Sequence, residues 1–192
     1  MTDQTQIERI PLGKTDVRIT PLGTGTWTWG DRMPWSDRMS WGYTQTSSVS
    51  DLQAAFDASV KGGVDFFDTA EVYGNGSSEQ FLGQFIRESG RQVVVSTKFM
   101  PHPWKFRRSA LMRSLKASLD RLGLERVDLY LIHWPFPPRA VEVWAEELAN
   151  AVDAGLVRAV GVSNYSVSQM ERAHTVLARR GIPIAQIRRT GR

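Results

Sequence analysis

From residue 51 onward, apolar segments of strand length alternate with amphipathic segments of helix length, and this alternation limits the folds open to the chain. The predicted helices cover 51–61, 78–88, 109–122, 140–154 and 168–180. The predicted strands cover 21–27, 64–68, 93–98, 127–133, 157–163 and the start of a sixth at 182–185. Apolar strands joined by helices require a parallel sheet that helices cover on its outer face or on both faces. A closed barrel and a doubly wound sheet both satisfy this pattern. No linker divides residues 1–192, so a single domain is predicted.

The residues before the first of these helices predict a hairpin and a glycine-rich strand. Turn residues at 12–16 between two short apolar segments indicate a hairpin over 7–20. The glycines of segment 21–27 either let a ligand approach the backbone or mark a bend. Residues 31–50 form a long polar and aromatic loop, and loops of that length are more often functional than idle. Ser78 is predicted to be the N-cap of the second helix.

The composition is that of an ordinary globular protein, 41% hydrophobic and 23% charged. It also excludes functions that depend on cysteine. Without cysteine the chain can form neither a disulfide nor a thiolate nucleophile, and three dispersed histidines do not predict a metal site. The first six residues are polar, and no segment has the apolar length of a membrane span, so we expect a cytoplasmic protein without a signal peptide. The net charge of +4 depends on three arginines within 188–192, and the other basic cluster at 105–108 is short. Nucleic acid binding is therefore not predicted.

Polar side chains stand at the ends of four predicted strands. They are Asp68, Lys98, His133 and the pair Ser163-Asn164. In a parallel sheet these ends lie at one edge, so we expect the side chains to converge, together with Tyr73 from the loop after Asp68. Each also has an ordinary structural explanation. Asp68 and Asn164 are common turn formers. Lys98 fits a solvated strand end, and His133 fits a buried, hydrogen-bonded ring. Their coincidence on four strands favours a functional site.

This set of side chains suits proton delivery to an oxygen atom. A phenol has a pKa of about 10 and is a poor acid at neutral pH. A neighbouring ammonium lowers the pKa of a phenol, and a carboxylate would hold the ammonium in place. A neutral imidazole could orient a substrate carbonyl through a hydrogen bond. Because no nucleophile is evident, hydride from a nicotinamide cofactor is the simplest partner. No G-x-G-x-x-G follows a strand, which argues against a Rossmann site.

With their neighbours, these residues resemble the aldo-keto reductase superfamily. The matching motifs keep the family's order and spacing over about residues 7–185, and they are Gly25-Thr26-Trp27, Asp68-Thr69-Ala70, Tyr73-Gly74, Ser78-Glu79, Ser96-Thr97-Lys98, Leu119-Asp120-Arg121-Leu122, Val127-Asp128-Leu129, His133-Trp134-Pro135 and Gly161-Val162-Ser163-Asn164. The resemblance implies an α/β fold, the (β/α)8 TIM barrel, with the N-terminal hairpin closing its base. It also implies reduction of an aldehyde or ketone to an alcohol with NADPH, or with NADH, bound without a Rossmann domain.

The resemblance further assigns roles to individual residues. Tyr73 would donate the proton, Asp68 and Lys98 would tune the acidity of Tyr73, and His133 would orient the substrate carbonyl. The implied cofactor contacts are Gly25, Thr26, Asp68, Ser163 and Asn164, and the implied substrate-pocket residues are Trp27 and Trp134. The tryptophan-rich stretch 26–41 resembles the branch of plant and bacterial reductases related to potassium-channel β subunits.

The end of the sequence departs from the family pattern. After a strand such as 182–185 the family continues with Ser-Asn-Gln and a hydrophobic segment. This chain continues with the arginine-rich segment 186–192. Gln186 in this segment is out of register with the family's cofactor-binding glutamine. A typical barrel needs about 250 residues. We therefore expect an incomplete barrel without strands seven and eight, and without the family's contacts to the adenosine phosphate. A frameshift is one hypothesis for the basic end.

Two other functions stay open at the level of the sequence. One is a cofactor-sensing regulatory subunit of the channel-β-subunit type, which binds the nucleotide but scarcely reduces carbonyls. The other is an inactive fragment. The complete set of Asp68, Tyr73, Lys98 and His133 argues against the regulatory subunit, because a binding protein does not need a proton donor.

Overall fold

The computed structural model describes residues 7–30 and 47–188. The strands of these ranges are β1 (Ile10–Pro11), β2 (Arg18–Ile19), β3 (Thr24–Gly25), β4 (Phe66–Asp68), β5 (Val94–Phe99), β6 (Val127–Ile132), β7 (Val157–Ser163) and β8 (Ile184–Arg188). The helices are α1 (Val49–Lys61), α2 (Ser77–Ser89), α3 (Ser109–Leu122), α4 (Val141–Asp153) and α5 (Val167–Ala178). A short 3-10 turn over Tyr73–Gly76 leads into α2.

The strands form two sheets with different connectivity. Strands β1 and β2 pair antiparallel, which confirms the predicted hairpin. The other six strands form one parallel sheet in the order β3-β4-β5-β6-β7-β8. Each strand therefore pairs with the one that follows it in the sequence. The parallel sheet confirms what the alternation of strands and helices predicted. The last strand begins at Ile184, two residues later than predicted, and extends to Arg188.

The distribution of the core decides between the two folds that the sequence pattern allows. Along β6, Tyr130 and Ile132 pack in the cluster that contains the helices, whereas Leu129 and Leu131 pack in a second cluster. The second cluster includes the hairpin residues Leu12, Val17 and Ile19. Side chains alternate between the faces of a strand, so the helices lie on one face and the hairpin on the other. One-sided winding in sequential order is the arrangement of a (β/α)8 barrel, and residues 7–30 and 47–188 form six of its strands.

Two helices begin with a sequence pattern that is typical of helix N-termini. Capping boxes at Ser48 and Ser166 begin α1 and α5. The predicted N-cap at Ser78 is wrong, because Gly76 is the N-cap of α2, with a φ of +94° that favours glycine. The Ser78 hydroxyl is inside the helix and bonds instead to Thr26 and Thr69. Residues 31–46 of the predicted loop 31–50, which include Trp35 and Trp41, lie outside the described residues.

Helices α2 and α3 approach each other closely at Gly83, and this contact yields a prediction. A Cβ atom at Gly83 would lie 2.4 Å from the carbonyl oxygen of Leu122. Helix propensity alone favours alanine over glycine by about 1 kcal/mol. Overpacking against backbone costs about 1–3 kcal/mol. We therefore expect Gly83→Ala to lower the free energy of unfolding, measured by urea denaturation. The neighbouring Gln84→Ala is the control, and a Gly83→Ala variant as stable as the parent would contradict the close packing.

Candidate active site

The buried ammonium of Lys98 is the centre of a polar cluster at the carboxyl end of the parallel sheet. Its Nζ donates to Asp68 Oδ2 at 2.8 Å, to the carbonyl oxygen of Thr69 at 2.6 Å and to the Tyr73 hydroxyl at 3.3 Å. An ammonium carries three protons, and these three acceptors match them. A buried cation without such partners is costly. The predicted convergence of Asp68, Tyr73 and Lys98 is therefore seen in the structure.

A tight turn presents Tyr73 to Lys98. Within the turn, Gly74 and Asn75 have φ values of +56° and +54°. A Cβ atom at Gly74 would lie 2.7 Å from the carbonyl carbon of Gly30, so the two backbones touch. The Lys98 Nζ also lies 4.8 Å from the centroid of the Tyr73 ring. The ammonium thus contacts both the face and the hydroxyl of the phenol, a favourable arrangement for a cation and an aromatic ring.

His133, immediately after β6, brings an imidazole to the same place. Its backbone N–H donates to the carbonyl oxygen of Phe99 at 2.8 Å, which continues the pairing of β6 with β5. The His133 ring meets the Tyr73 ring edge to face, with centroids 5.6 Å apart and planes at 81°. A single small group can therefore contact both rings. This adjacency of Tyr73 and His133 depends on two strands that are not neighbours in the sheet.

Ser163 and Asn164 lie at the end of β7, beside His133. Asn164 Nδ2 donates to the carbonyl oxygen of His133 at 2.8 Å and to Ser163 Oγ at 3.0 Å. Asn164 has a φ of +62°, in the left-handed region that asparagine tolerates better than most residues. These contacts join the ends of β6 and β7. They explain why an asparagine is favoured at this strand end.

Gly25 and Thr26 lie at the opposite side of the cluster, where β3 ends. The Thr26 hydroxyl is buried and donates to the carbonyl oxygen of Asp68 at 3.2 Å. Among the described residues, a Cβ atom at Gly25 would meet no other atom within 4 Å, so these residues leave space beside the backbone there. Gln186, the remaining candidate of the sequence analysis, lies in β8.

Aromatic side chains follow several strands at the same end of the sheet. Trp27, two residues after β3, is 50% exposed. The Trp134 ring stacks on Phe136, with centroids 5.7 Å apart and planes at 5°. Trp104 and Phe106, in the segment after β5, are also exposed. Three aromatic residues that the sequence did not assign to the site, Trp104, Phe106 and Phe136, are therefore at this end of the sheet as well.

Sequence reasoning also missed Glu71, which joins two segments beside the site. Its carboxylate accepts from the backbone N–H of Met100 at 2.7 Å and from Lys105 Nζ at 2.8 Å. Beside this ion pair lies His102, whose pKa is lowered by burial and by the charge of the same Lys105. The partners of Glu71 lie 29 and 34 residues away along the chain. No local pattern could reveal contacts at that separation.

A second missed carboxylate, Glu79, is fully buried in the first turn of α2. It accepts from Thr97 Oγ1 and from Arg121 Nε. Its motif Ser78-Glu79 was visible in the sequence, but its burial was not.

In residues 7–30 and 47–188, no three metal-ligating side chains form a metal site. No helix of the same ranges has the length and apolar character needed to cross a membrane.

Comparison with known proteins gives the family. A model described as "Aldo/keto reductase family" matches residues 21–188. The chain is 39% identical over 191 residues to "Pyridoxal reductase, chloroplastic" of Arabidopsis thaliana, covering 92% of this chain and 50% of that protein. It is 36% identical over 179 residues to "Aldo-keto reductase YhdN" of Bacillus subtilis (strain 168), covering 88% of this chain and 51% of that protein. The chain thus spans about half the length of these relatives.

Solved structures share the fold. The thermostable aldo-keto reductase Tm1743 matches with a TM-score of 0.75 and 31% identity, covering 94% of this chain and 61% of that one. An aldo-keto reductase from Klebsiella pneumoniae in complex with NADPH matches with a TM-score of 0.67 and 28% identity, covering 83% of this chain and 52% of that one. The match to the family model extends from before Gly25 to beyond Asn164. This chain therefore belongs to the aldo/keto reductase family of oxidoreductases.

Proposed function

We propose that this chain carries the active site of an NADPH-dependent reductase that converts an aldehyde or a ketone to an alcohol, with Tyr73 as the proton donor. The observation that supports it most strongly is the contact of the Lys98 ammonium with both the Asp68 carboxylate and the Tyr73 hydroxyl. A carboxylate, an ammonium and a phenol in contact form a unit that can release a proton and stabilise the phenolate left behind.

In the proposed reaction, the carbonyl carbon gains a hydride and the carbonyl oxygen gains a proton. NADPH, when bound, supplies the hydride. Tyr73 donates the proton to the oxygen. The Lys98 ammonium, 3.3 Å from the phenol oxygen, then stabilises the negative charge on Tyr73. Asp68 neutralises Lys98 between turnovers. The alcohol leaves, and solvent returns the proton to the phenolate.

His133 orients the substrate in this proposal. Its ring lies edge to face against Tyr73. An N–H of the neutral ring would donate a hydrogen bond to the same carbonyl oxygen that receives the proton, and so would hold that oxygen near the phenol. Trp27 and Trp134 would contact the apolar part of the substrate, because both follow strands that end at this side of the sheet.

The residues at the ends of β3 and β7 fit a nicotinamide. A carboxamide offers one acceptor oxygen and one donor NH₂ group. Ser163 Oγ accepts from Asn164 Nδ2, which leaves the serine proton to donate. Asn164 Oδ1 remains an acceptor for the NH₂ group. Thr26 holds the backbone next to the open space beside Gly25, through which the ring could approach Asp68. The relative from Klebsiella pneumoniae in complex with NADPH favours that cofactor over NADH.

A titration of the purified chain with NADPH, followed by tryptophan fluorescence, is the first test. The chain contains seven tryptophans, and Trp27 lies next to the proposed nicotinamide contacts. We expect saturable quenching at micromolar cofactor, followed by reduction of a simple aldehyde in an absorbance assay. Binding without turnover would favour a cofactor-sensing protein. The absence of binding would contradict the proposal for this chain.

Tyr73→Phe tests the proton donor. We expect the rate of carbonyl reduction to fall by at least about 100-fold, because general acid catalysis is lost. The affinity for NADPH should change little, since the ring is retained. Tyr130→Phe is the matched control, because the Tyr130 hydroxyl is buried in the outer core without a hydrogen-bond partner in the described residues. A Tyr73→Phe variant that keeps its rate would show that another group delivers the proton.

Asp68→Asn and Lys98→Met test the buried ion pair. Removing one partner leaves the other charge buried, so each variant should lose about 3 kcal/mol of unfolding free energy. The double variant should be more stable than the sum of the single effects predicts, with a coupling of about 2 kcal/mol. Urea denaturation gives all three values. The exposed pair Arg172–Glu142 is the control and should show much weaker coupling. Additive effects at Asp68 and Lys98 would contradict the pair.

A further inference from the structure

Glu79 is a buried carboxylate on the outer side of the sheet, away from the proposed substrate. Its Oε1 accepts from Thr97 Oγ1 at 2.5 Å, and its Oε2 accepts from Arg121 Nε at 2.6 Å. Both side chains of the Glu79–Thr97 bond are fully buried. A charge in this position persists only when it is paired and hydrogen-bonded, and Glu79 is both.

Thr97 connects this carboxylate to the ammonium at the centre of the site. Thr97 and Lys98 are consecutive residues of β5. Consecutive side chains of a strand point to opposite faces. The Thr97 side chain therefore meets α2 on the outer face, while Lys98 enters the inner polar cluster. A bond that fixes Thr97 consequently fixes the orientation of the peptide that carries Lys98.

Arg121 connects the same carboxylate to the turn that carries Tyr73. The turn ends at Gly76, and a Cβ atom at Gly76 would lie 2.8 Å from Arg121 Cδ and 2.9 Å from Arg121 Nε. The guanidinium group therefore packs directly against the backbone of the turn. It is also held by a hydrogen bond from Arg121 Nη2 to Ser118 Oγ at 3.1 Å. Glu79 thus contacts the support of Tyr73 as well as the strand of Lys98.

We propose that Glu79 is a positioning residue, which through Thr97 and Arg121 sets the separation between the Lys98 ammonium and the Tyr73 hydroxyl; the inference rests on the proposed function. Of the three contacts of Lys98 Nζ, the one to Tyr73 is the longest, at 3.3 Å. Hydrogen bonds weaken steeply beyond their usual range. A small rotation of β5 therefore breaks the contact to Tyr73 first and slows proton delivery before it affects cofactor binding.

Thr97→Val tests the proposal, because valine keeps the shape of threonine and removes only the hydroxyl. Thr97→Ser restores the hydroxyl, and Glu88→Gln on the exposed side of α2 is the control. We expect the single-turnover rate of carbonyl reduction to fall about 10- to 100-fold in Thr97→Val, as for other small misplacements of a catalytic group. Serine should recover most of the rate. The dissociation constant of NADPH should stay close to that of the parent in all three variants.

A second readout needs neither cofactor nor turnover. Ionisation of a phenol changes its ultraviolet absorbance, and the step that Tyr73→Phe removes from a pH titration belongs to Tyr73. Burial raises the pKa of Tyr130 and of Tyr165, so those two phenols ionise at higher pH. In Thr97→Val the Tyr73 step should move to higher pH by about one unit, because the ammonium no longer faces the phenol. Thr97→Ser and Glu88→Gln should leave the step in place.

The two readouts separate failure of this inference from failure of the proposed function. If the parent chain reduces no carbonyl, the proposed function fails, and the absorbance step alone decides the role of Glu79. If Thr97→Val keeps both its rate and its step, the positioning role is wrong. Equal losses of rate and of NADPH affinity would also overturn it, since they indicate general disruption. If Thr97→Val does not unfold cooperatively, Arg121→Lys replaces it, with the same expected shift; an unchanged step there overturns the inference.

Discussion

The candidate site depends on the buried ammonium of Lys98. Strands β4 and β5 run parallel with Asp68 opposite Ser96, so Lys98 lies two residues further along its strand and its side chain meets the end of β4. There Asp68 and Thr69 supply two acceptors, and Tyr73 supplies the third. A buried ion pair is seldom more stable than apolar residues of the same size. The charge is therefore better explained by chemistry than by stability of the sheet.

The parallel sheet keeps two polar layers apart. Successive residues of β5 face opposite sides, so Lys98 belongs to the inner layer and Thr97 to the outer one. In the inner layer, Lys98 meets Asp68 and the Tyr73 hydroxyl, the groups of the proposed proton transfer. In the outer layer, Glu79 and Arg121 join α2 to α3 and to the turn before α2. A single strand thus connects the packing of the helices to Tyr73, the proposed proton donor.

Much of the inner layer could be predicted from the sequence, because each group follows an apolar strand directly. Asp68, Lys98 and His133 needed only the rule that parallel strands end at one edge. Local patterns do not reveal partners that are distant along the chain. Ser78 resembled an N-cap, yet its hydroxyl bonds to Thr26, 52 residues away. Glu71 and Glu79 carried no periodic signal, since a carboxylate in a helix start or loop is ordinarily solvated.

The sequence by itself determined the order of strands and helices and the polar residues at the strand ends, because periodicity and strand-end polarity are local properties. The strand pattern left a barrel and a doubly wound sheet open, and the family resemblance implied the barrel. The tertiary structure then showed that helices cover one face of the sheet while the hairpin covers the other. It alone also showed which carboxylates are buried. Burial and pairing depend on segments dozens of residues apart, and no local pattern encodes the distances between them.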